Sequence, residues 1–370
     1  ALNAVGTDPA MVAIALERVD RALALKPDWD RAALLKSEIL AKRSTDEAVA
    51  YLSAFLKTQP DSRPVRGALA QHYVEQKRLA EARTIFEALA AEEPDVREYA
   101  MGVAILSYQL KDWPAAEAHF TKLAANGDDG TAQLYLAQIA EETKRYEVAI
   151  TRYKAVTDGD RAWLSKLRVA AVLGKLNRID EGRRWLADLP AVTIDQRIQV
   201  RQAEASLLRE AGDLAGAYAV LEQGLAEFPD APDLLYDVAM LAEKLDRLDV
   251  AEVRLKRLIE LKPDDPQALN ALGYTLVDRT ARTEEGRALI EKALKLSPDD
   301  PFILDSMGWA LFKLGRYDDA VVYLGRAYAG RPDAEIAAHL GEVLWVKGER
   351  ERAKEIWAAQ LKDAPDHPVL

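Results

Sequence analysis

The sequence predicts an all-α protein built from helical hairpins that repeat about every 34 residues. Prolines recur at this period, and the last four intervals, from Pro229 to Pro365, are 34, 35, 34 and 33 residues. A small residue recurs at one register of every unit, and apolar residues follow helical spacing within it. These features predict a stacked array of hairpins, in which each unit buries its apolar face against its neighbours.

Composition excludes several classes of protein. The chain has 370 residues, of which 30% are charged and 49% hydrophobic, with a net charge of -11 and no cysteine. An acidic chain without long Lys/Arg runs argues against a nucleic-acid or anionic-membrane partner. The absence of cysteine excludes disulfides and thiolate chemistry, and it is compatible with either redox compartment.

The stretch 299–332 is the clearest copy of the unit. With Pro301 as position 1, Gly308 occupies position 8, Ala320 position 20 and Pro332 position 32. Small residues at positions 8 and 20 allow two antiparallel helices to approach closely, and the proline ends the second helix. Position 20 is small in all ten full units: Ala48, Ala82, Ala116, Ala149, Gly182, Ala217, Ala251, Gly286, Ala320 and Ala353. Position 8 is Ala or Gly in nine of them, and Lys36 in the first.

This register divides the chain into an N-terminal partial repeat, residues 1–28, and an array of ten repeats, residues 29–370. The interval from Pro190 to Pro229 is 39 residues, which predicts a change of superhelical pitch near 190–197. An additional residue between Arg279 and Glu285 predicts a longer turn inside one repeat. Full repeats begin near Trp29, Arg63, Arg97, Gly130, Trp163, Ile198, Pro232, Pro266, Pro301 and Ala334.

Over about 340 residues the chain resembles the tetratricopeptide repeat (TPR) family, on the residues given above. The resemblance implies a right-handed α-solenoid whose first helices line a concave groove with positions 2, 5, 9, 12 and 13. It also implies a non-enzymatic scaffold that binds partner proteins or extended segments in this groove. Candidate partner-binding residues at these positions are Tyr236, Met240, Asn270, Tyr274, Phe302, Asp305, Trp309, Phe312 and Trp345.

Aromatic residues at helical spacing can be either core residues or ligand-binding residues. Their position around the helix decides between these two interpretations. Trp309 and Phe312 lie about 100° or more around the helix from the seam that Leu304, Met307 and Leu311 form. We therefore expect both rings to be exposed anchors for a ligand. Further residues assigned to the inner surface are Met101, Ile105, Tyr108, Gln138, Glu141, Glu243, Asp278 and Glu342.

No catalytic, cofactor or metal site is predicted. The four histidines are far apart in the sequence, and none forms a zinc-binding pair. The segment from Gly308 to Gly315 lacks the ending of a phosphate loop. Carboxylate pairs such as Glu92–Glu93, Glu141–Glu142 and Glu284–Glu285 fall at helix ends or turns, where solvation or the helix dipole explains them.

The segment from Pro266 to Trp357 resembles, more narrowly, the outer-membrane-anchored TPR lipoproteins of Gram-negative bacteria. That group includes an adaptor of a periplasmic carboxyl-terminal processing protease. The resemblance implies a periplasmic, outer-membrane-associated scaffold that holds the protease and cell-wall hydrolases together. It also implies that a lipid-anchor cysteine lies upstream of residue 1, since the sequence starts without Met.

Three alternatives remain open from the sequence. The chain is a self-assembly element that forms a homo-oligomer, or the regulatory TPR portion of a larger enzyme, or a cytoplasmic scaffold. The array lacks the Lys/Asn carboxylate clamp of chaperone co-factors at positions 5 and 9. This lack argues against an acidic C-terminal tail as the partner.

Overall fold

A computed structural model describes residues 9–127, 130–159 and 161–370, and every regular element within them is an α-helix. The predicted all-α class is therefore confirmed. The chain divides into two compact units, Ala1–Leu176 and Asn177–Leu370, each built from antiparallel helical hairpins.

The first unit contains ten helices in its described part. They are α1 (Pro9–Leu25), α2 (Asp30–Ala41), α3 (Thr45–Thr58), α4 (Arg63–Glu75), α5 (Leu79–Glu92), α6 (Arg97–Gln109), α7 (Trp113–Ala125), α8 (Thr131–Glu142), α9 (Tyr146–Lys154) and α10 (Ala162–Lys175).

The second unit contains eleven helices. They are α11 (Ile179–Ala187), α12 (Ile194–Glu210), α13 (Leu214–Glu227), α14 (Pro232–Lys244), α15 (Leu248–Leu261), α16 (Pro266–Arg279), α17 (Thr283–Leu296), α18 (Pro301–Lys313), α19 (Tyr317–Gly330), α20 (Ala334–Lys347) and α21 (Arg350–Leu361).

The helices match the predicted register. One helix, α1, precedes ten successive pairs, and second helices end two to four residues before the marker prolines.

Residues 1–8 of the predicted partial repeat lie outside the described residues, as do Asp128 and Asp160 in two predicted turns. The division into 1–28 and 29–370 and the pitch change near 190–197 stay predictions. The boundary between the two compact units falls instead inside the fifth repeat, between α10 and α11.

Within each of the two units, close contact at the small residues holds paired helices together. All ten position-20 residues are buried, as the sequence predicts. In the pair α16 and α17, a Cβ built on Gly273 would lie 2.8 Å from the backbone oxygen of Gly286 and 2.7 Å from Ile290 Cγ1. Lys36, which replaces the small residue in the first repeat, keeps its ammonium at the surface and pairs with Asp20 at 2.5 Å.

The turn between the two helices of a repeat needs a left-handed residue at position 15. Eight repeats have positive φ there, and only three of the residues are glycine: Lys77, Lys111, Lys144, Asn177, Gly212, Asp246, Gly315 and Gly348. Non-glycine residues rarely adopt this conformation, so sequence patterns based on glycine miss most of these turns. The predicted longer turn is confirmed, because Thr280 at position 15 is extended and α17 begins one register later.

Gly273→Ala tests the contact between paired helices. The added Cβ meets buried backbone, so we expect a net loss of about 1–2 kcal/mol, since overpacking outweighs the gain of about 1 kcal/mol in helix propensity. Gly325→Ala on α19 is the matched control, because nothing lies within 4 Å of its Cβ. Urea unfolding followed by circular dichroism should show a loss for the first variant and a gain for the second; equal gains would contradict close packing.

Candidate functional site

Six of the nine predicted partner-binding residues line one cavity in the second unit. The cavity has a volume of about 220 Å³ and lies between the first helices of four consecutive repeats, α14, α16, α18 and α20. The predicted residues in it are Tyr236, Met240, Asn270, Tyr274, Phe302 and Asp305.

Capping side chains fix where these helices begin. Asp265 accepts hydrogen bonds from two backbone N–H groups at the start of α16, both at 3.0 Å. Asp300 accepts from the N–H of Phe302 at 2.9 Å, and Asp333 accepts from the N–H of Glu335 at 2.9 Å. Such caps stabilise a helix end and set its register. Phe302 and Glu335, two wall residues of the cavity, are therefore placed directly by their caps.

Sequence reasoning missed five further residues that line the cavity. They are Ala271, Thr275, Ser306, Glu335 and His339. Glu335 occupies position 2 of its repeat, as Phe302 does, so its place among the groove positions could have identified it from the sequence. The other four residues are at position 6 or 10, next to the predicted groove positions 5 and 9. They line the cavity because a cavity between two helices is bordered by the sides of each helix as well as by the residues that face the groove directly.

Trp309 is not the exposed anchor that its register predicts. Its side chain is buried, with 6% exposed, and its indole N–H donates to Asp278 Oδ1 at 3.0 Å. The imidazole of His339 stacks on the indole with ring centroids 4.2 Å apart. Trp309 therefore connects α16 to α20 beneath the cavity, because the following repeat covers the face that is open on an isolated helix. Any partner contact by this residue stays a prediction.

Phe312 and Trp345 also lie outside the cavity. Phe312 is half-buried against Trp309 and Tyr317, with ring centroids 5.1 and 5.7 Å apart, so it is not the exposed anchor expected from its register. Trp345 is 39% exposed and lies beside Trp357, at 5.8 Å. Both are at position 12, two turns beyond the cavity wall. Their roles in partner binding are untested.

An ion pair between neighbouring repeats crosses one side of the cavity. The Nδ1–H of His339 donates to both carboxylate oxygens of Asp305, at 2.9 and 3.0 Å, and both residues are buried. Burial lowers the pKa of His339, but the hydrogen bond to Asp305 and the charges of Asp305, Glu335 and Asp278 outweigh it. The pKa is therefore raised above its ordinary value of 6.5. Protonated His339 strengthens the contact between α18 and α20.

The remaining polar groups of the cavity include Tyr274, Asn270 and Glu335. Burial, followed by the charges of Asp278, Asp305, Glu335 and Glu243, raises the pKa of Tyr274 far above its ordinary value. The Oδ1 of Asn270 is buried and has no hydrogen-bond partner among the described residues. Glu335 is exposed at the rim. The cavity therefore combines aromatic walls with an excess of negative charge.

A second cavity adjoins the first at Met240. It measures about 210 Å³ and lies between α12, α13 and α14. Asp237 accepts a hydrogen bond from Gln202 at 2.7 Å, and burial raises the pKa of this carboxyl. Arg209 and Lys244 give this second cavity a more basic lining.

In the first unit, Glu141 corrects one interpretation of the sequence. It is not a solvated residue of a helix end but a buried carboxylate that accepts from Tyr153 at 2.8 Å, Arg168 at 2.5 and 2.9 Å, and Lys175 at 2.7 Å. Burial raises its pKa, but the hydrogen bonds from Arg168, Lys175 and Tyr153 outweigh burial and lower it. Glu141 thus ties α8 to α9 and α10 and takes a structural part in the repeat stack.

Glu141 also lines a cavity of about 460 Å³, together with the predicted inner-surface residues Tyr108 and Gln138. A larger cavity of about 660 Å³ lies among α5, α6 and α7. It contains none of the nine candidate residues.

No helix in 9–127, 130–159 and 161–370 combines the length and apolar character needed to cross a lipid bilayer. The same part of the chain holds no group of three or more His, Asp or Glu side chains suited to a metal ion.

Two family models, both described as tetratricopeptide repeat, match residues 39–106 and 208–273, and residues 108–163 and 306–368. Together they cover more than half of the chain. A TPR repeat-containing protein of Pseudomonas aeruginosa is 38% identical over 211 residues, which are 57% of this chain and 36% of that relative. The chain thus spans about a third of the length of the curated relative that it matches.

Solved structures of TPR proteins are also similar. One from Thermus thermophilus is 23% identical, covers 46% of this chain and 92% of its own, and has a TM-score of 0.43. One from Parabacteroides merdae is 15% identical, covers 62% and 91%, and has a TM-score of 0.47.

The His339–Asp305 pair predicts a pH-dependent stability. Because the folded-state pKa of His339 is raised, its stabilisation is fully present below about pH 6.5 and is lost as the pH rises through the folded-state pKa. Urea unfolding should therefore show a greater loss of stability from His339→Gln at pH 6 than at pH 9. In an Asp305→Asn background this difference should become much smaller, because Glu335 and Asp278 act on His339 only through their charges. Its persistence at full size there would show that another group is responsible.

Proposed function

We propose that this chain, which belongs to the tetratricopeptide repeat family, is a non-enzymatic scaffold that anchors an extended segment of a partner protein in the cavity between α14, α16, α18 and α20. Proteins of this family generally mediate protein–protein interactions and are typically non-catalytic. The observation that carries the proposal is the convergence of six predicted groove residues on one cavity.

The size of the cavity favours a side chain of a polypeptide as its occupant. Sites for drug-sized molecules and cofactors usually measure about 300–1,000 Å³, whereas this cavity measures about 220 Å³. It adjoins a second cavity through Met240. Two small adjacent recesses fit successive anchors of one extended segment better than they fit a single compact ligand.

The chemistry of the walls supports the same proposal. Tyr236, Tyr274 and Phe302 contribute apolar surface, and aromatic residues supply much of the affinity at protein interfaces. Phe302 is 47% exposed, so part of its ring remains available to a ligand. Asn270 and Ser306 place polar groups among these rings, where they fix the orientation of a bound segment.

We further propose a periplasmic, outer-membrane-associated location, with a carboxyl-terminal processing protease and cell-wall hydrolases as partners. The support is the resemblance of Pro266–Trp357 to the TPR lipoproteins of Gram-negative bacteria. This segment contains α16, α18 and α20, which form most of the cavity. A purified protease of that class is therefore one of the two probes in the experiment that follows.

Phe302→Ala and Trp29→Ala form a matched pair, because both remove an exposed aromatic ring and only the first lies in the cavity. Random dodecapeptides displayed on phage are selected on the immobilised chain, then synthesised with fluorescein and measured by fluorescence anisotropy. The protease is measured by surface plasmon resonance. We expect Phe302→Ala to weaken binding about thirtyfold, corresponding to an anchor of about 2 kcal/mol, and Trp29→Ala to leave Kd unchanged.

Two outcomes would overturn the proposed site. Either the selection recovers no binding peptide, or the recovered peptides bind the Phe302→Ala variant as tightly as the unaltered chain. Circular dichroism of both variants checks that helix content is retained.

A further inference from the structure

We propose that the side chain anchored in this cavity is that of a lysine or arginine. The inference rests on the proposed function and specifies its ligand. The partner segment is then basic at the position that enters between α16, α18 and α20. The argument depends on the acceptors that the cavity leaves unpaired, on its walls, and on the positions of the chain's own cations.

The first observation is that two acceptors of the cavity, on Asn270 and Glu335, have no donor among the described residues. The Oδ1 of Asn270 is buried without a partner, and Glu335 forms no ion pair with any described residue. Glu243 and Asp305 add two further carboxylates to the lining, but each already has a partner, Arg279 for Glu243 and His339 for Asp305. A buried acceptor without a donor costs about 1–3 kcal/mol, and a ligand that donates a hydrogen bond removes this penalty once the Asn270 amide turns toward the cavity.

The second observation concerns the walls. Met240, Tyr236, Tyr274 and Phe302 provide surface for the methylene stem of a long side chain. The three rings also attract a cation over their faces. An aliphatic anchor would use the same walls but leave Asn270 unpaired. An acidic anchor would be repelled by the lining carboxylates.

The third observation is that the chain's own cations surround the cavity without entering it. Arg279 pairs with Glu243 and, at 2.6 Å, with Asp246. The guanidinium of Arg331 lies over the ring of Phe302, 5.1 Å from its centroid. Neither arginine lines the cavity. Phe302 thus already stacks with a guanidinium on one side. Glu335 is the carboxylate that can pair with a cation from another molecule.

The net charge of -11 acts in the same direction over longer distances. It attracts basic segments and repels acidic ones, although salt screens this effect beyond about 10 Å. Selectivity for one side chain must therefore come from the groups inside the cavity. Glu335 is the group whose charge can be removed with least disturbance, because it is exposed.

The test uses a fluorescein-labelled dodecapeptide from the phage selection, with its anchoring position identified by alanine scanning. The peptide is resynthesised with lysine, norleucine or glutamate at that position, and norleucine keeps the stem of lysine without its charge. For the unaltered chain we expect lysine to bind about tenfold more tightly than norleucine, and glutamate to bind most weakly.

Variants assign this selectivity to the cavity. Glu335→Gln should reduce the preference for lysine over norleucine to about threefold or less, with little change for norleucine. Glu355→Gln is the control, because it removes an exposed carboxylate of α21 that lies outside the cavity. It should leave the preference near tenfold. Glu335→Lys should invert it, so that glutamate binds more tightly than lysine.

Failures of the two proposals give different results. If lysine and norleucine bind equally while Phe302→Ala still weakens both, the scaffold stands and the cationic anchor is wrong. If the tenfold preference persists in Glu335→Gln, the cation binds elsewhere and the assignment is also wrong. If no selected peptide depends on Phe302, both proposals are overturned.

Discussion

The contact between small residues at positions 8 and 20 is the constraint on which the rest of this structure depends. It brings the two helices of a repeat so close that in α16 and α17 the backbones of Gly273 and Gly286 face each other without room for a methyl group. The larger apolar residues then fill the seams around this contact. Because paired helices pack through this face, the opposite face of each first helix stays free, and consecutive first helices enclose the cavity.

The cavity itself is held by interactions between repeats. Trp309 joins α16 through Asp278 and α20 through the stacked ring of His339, and His339 in turn holds Asp305 on α18. Three successive first helices are thus connected by one chain of contacts beneath the walls that are open to a ligand. Contacts of this kind place the walls before a ligand binds, which reduces the conformational entropy lost on binding.

Much of the fold could be predicted from the sequence, because its signals are local and repeated. Each of these signals determines structure within a single hairpin. They are the small residues at positions 8 and 20, the prolines, and the additional residue before α17. The left-handed turn residues were less visible, since Lys77, Lys111 and Lys144 carry no compositional signal for positive φ. Six of the nine candidate residues line the cavity, because the groove positions identify the residues in the middle of the free face of each first helix.

The parts that sequence could not supply depend on neighbours about one repeat away. Trp309 looks exposed on its own helix, but the imidazole of His339, thirty residues later, stacks on its ring. Glu141 looks like a solvated carboxylate until Arg168 and Lys175 pack against it from a later helix. In both cases, the side chains that cover the residue come from the next repeat. The pattern of a single repeat does not say how the next repeat is oriented.

The most direct test of the central claim uses the four methionines of the chain as probes. Met240 lines the cavity, Met307 is buried in the packing core of the same unit, and Met11 and Met101 belong to the first unit. In a sample labelled with 13C at the methionine methyl groups, titration with a selected peptide should shift the Met240 resonance and leave the other three in place. Shifts of Met11 or Met101 with Met240 unchanged would contradict the account.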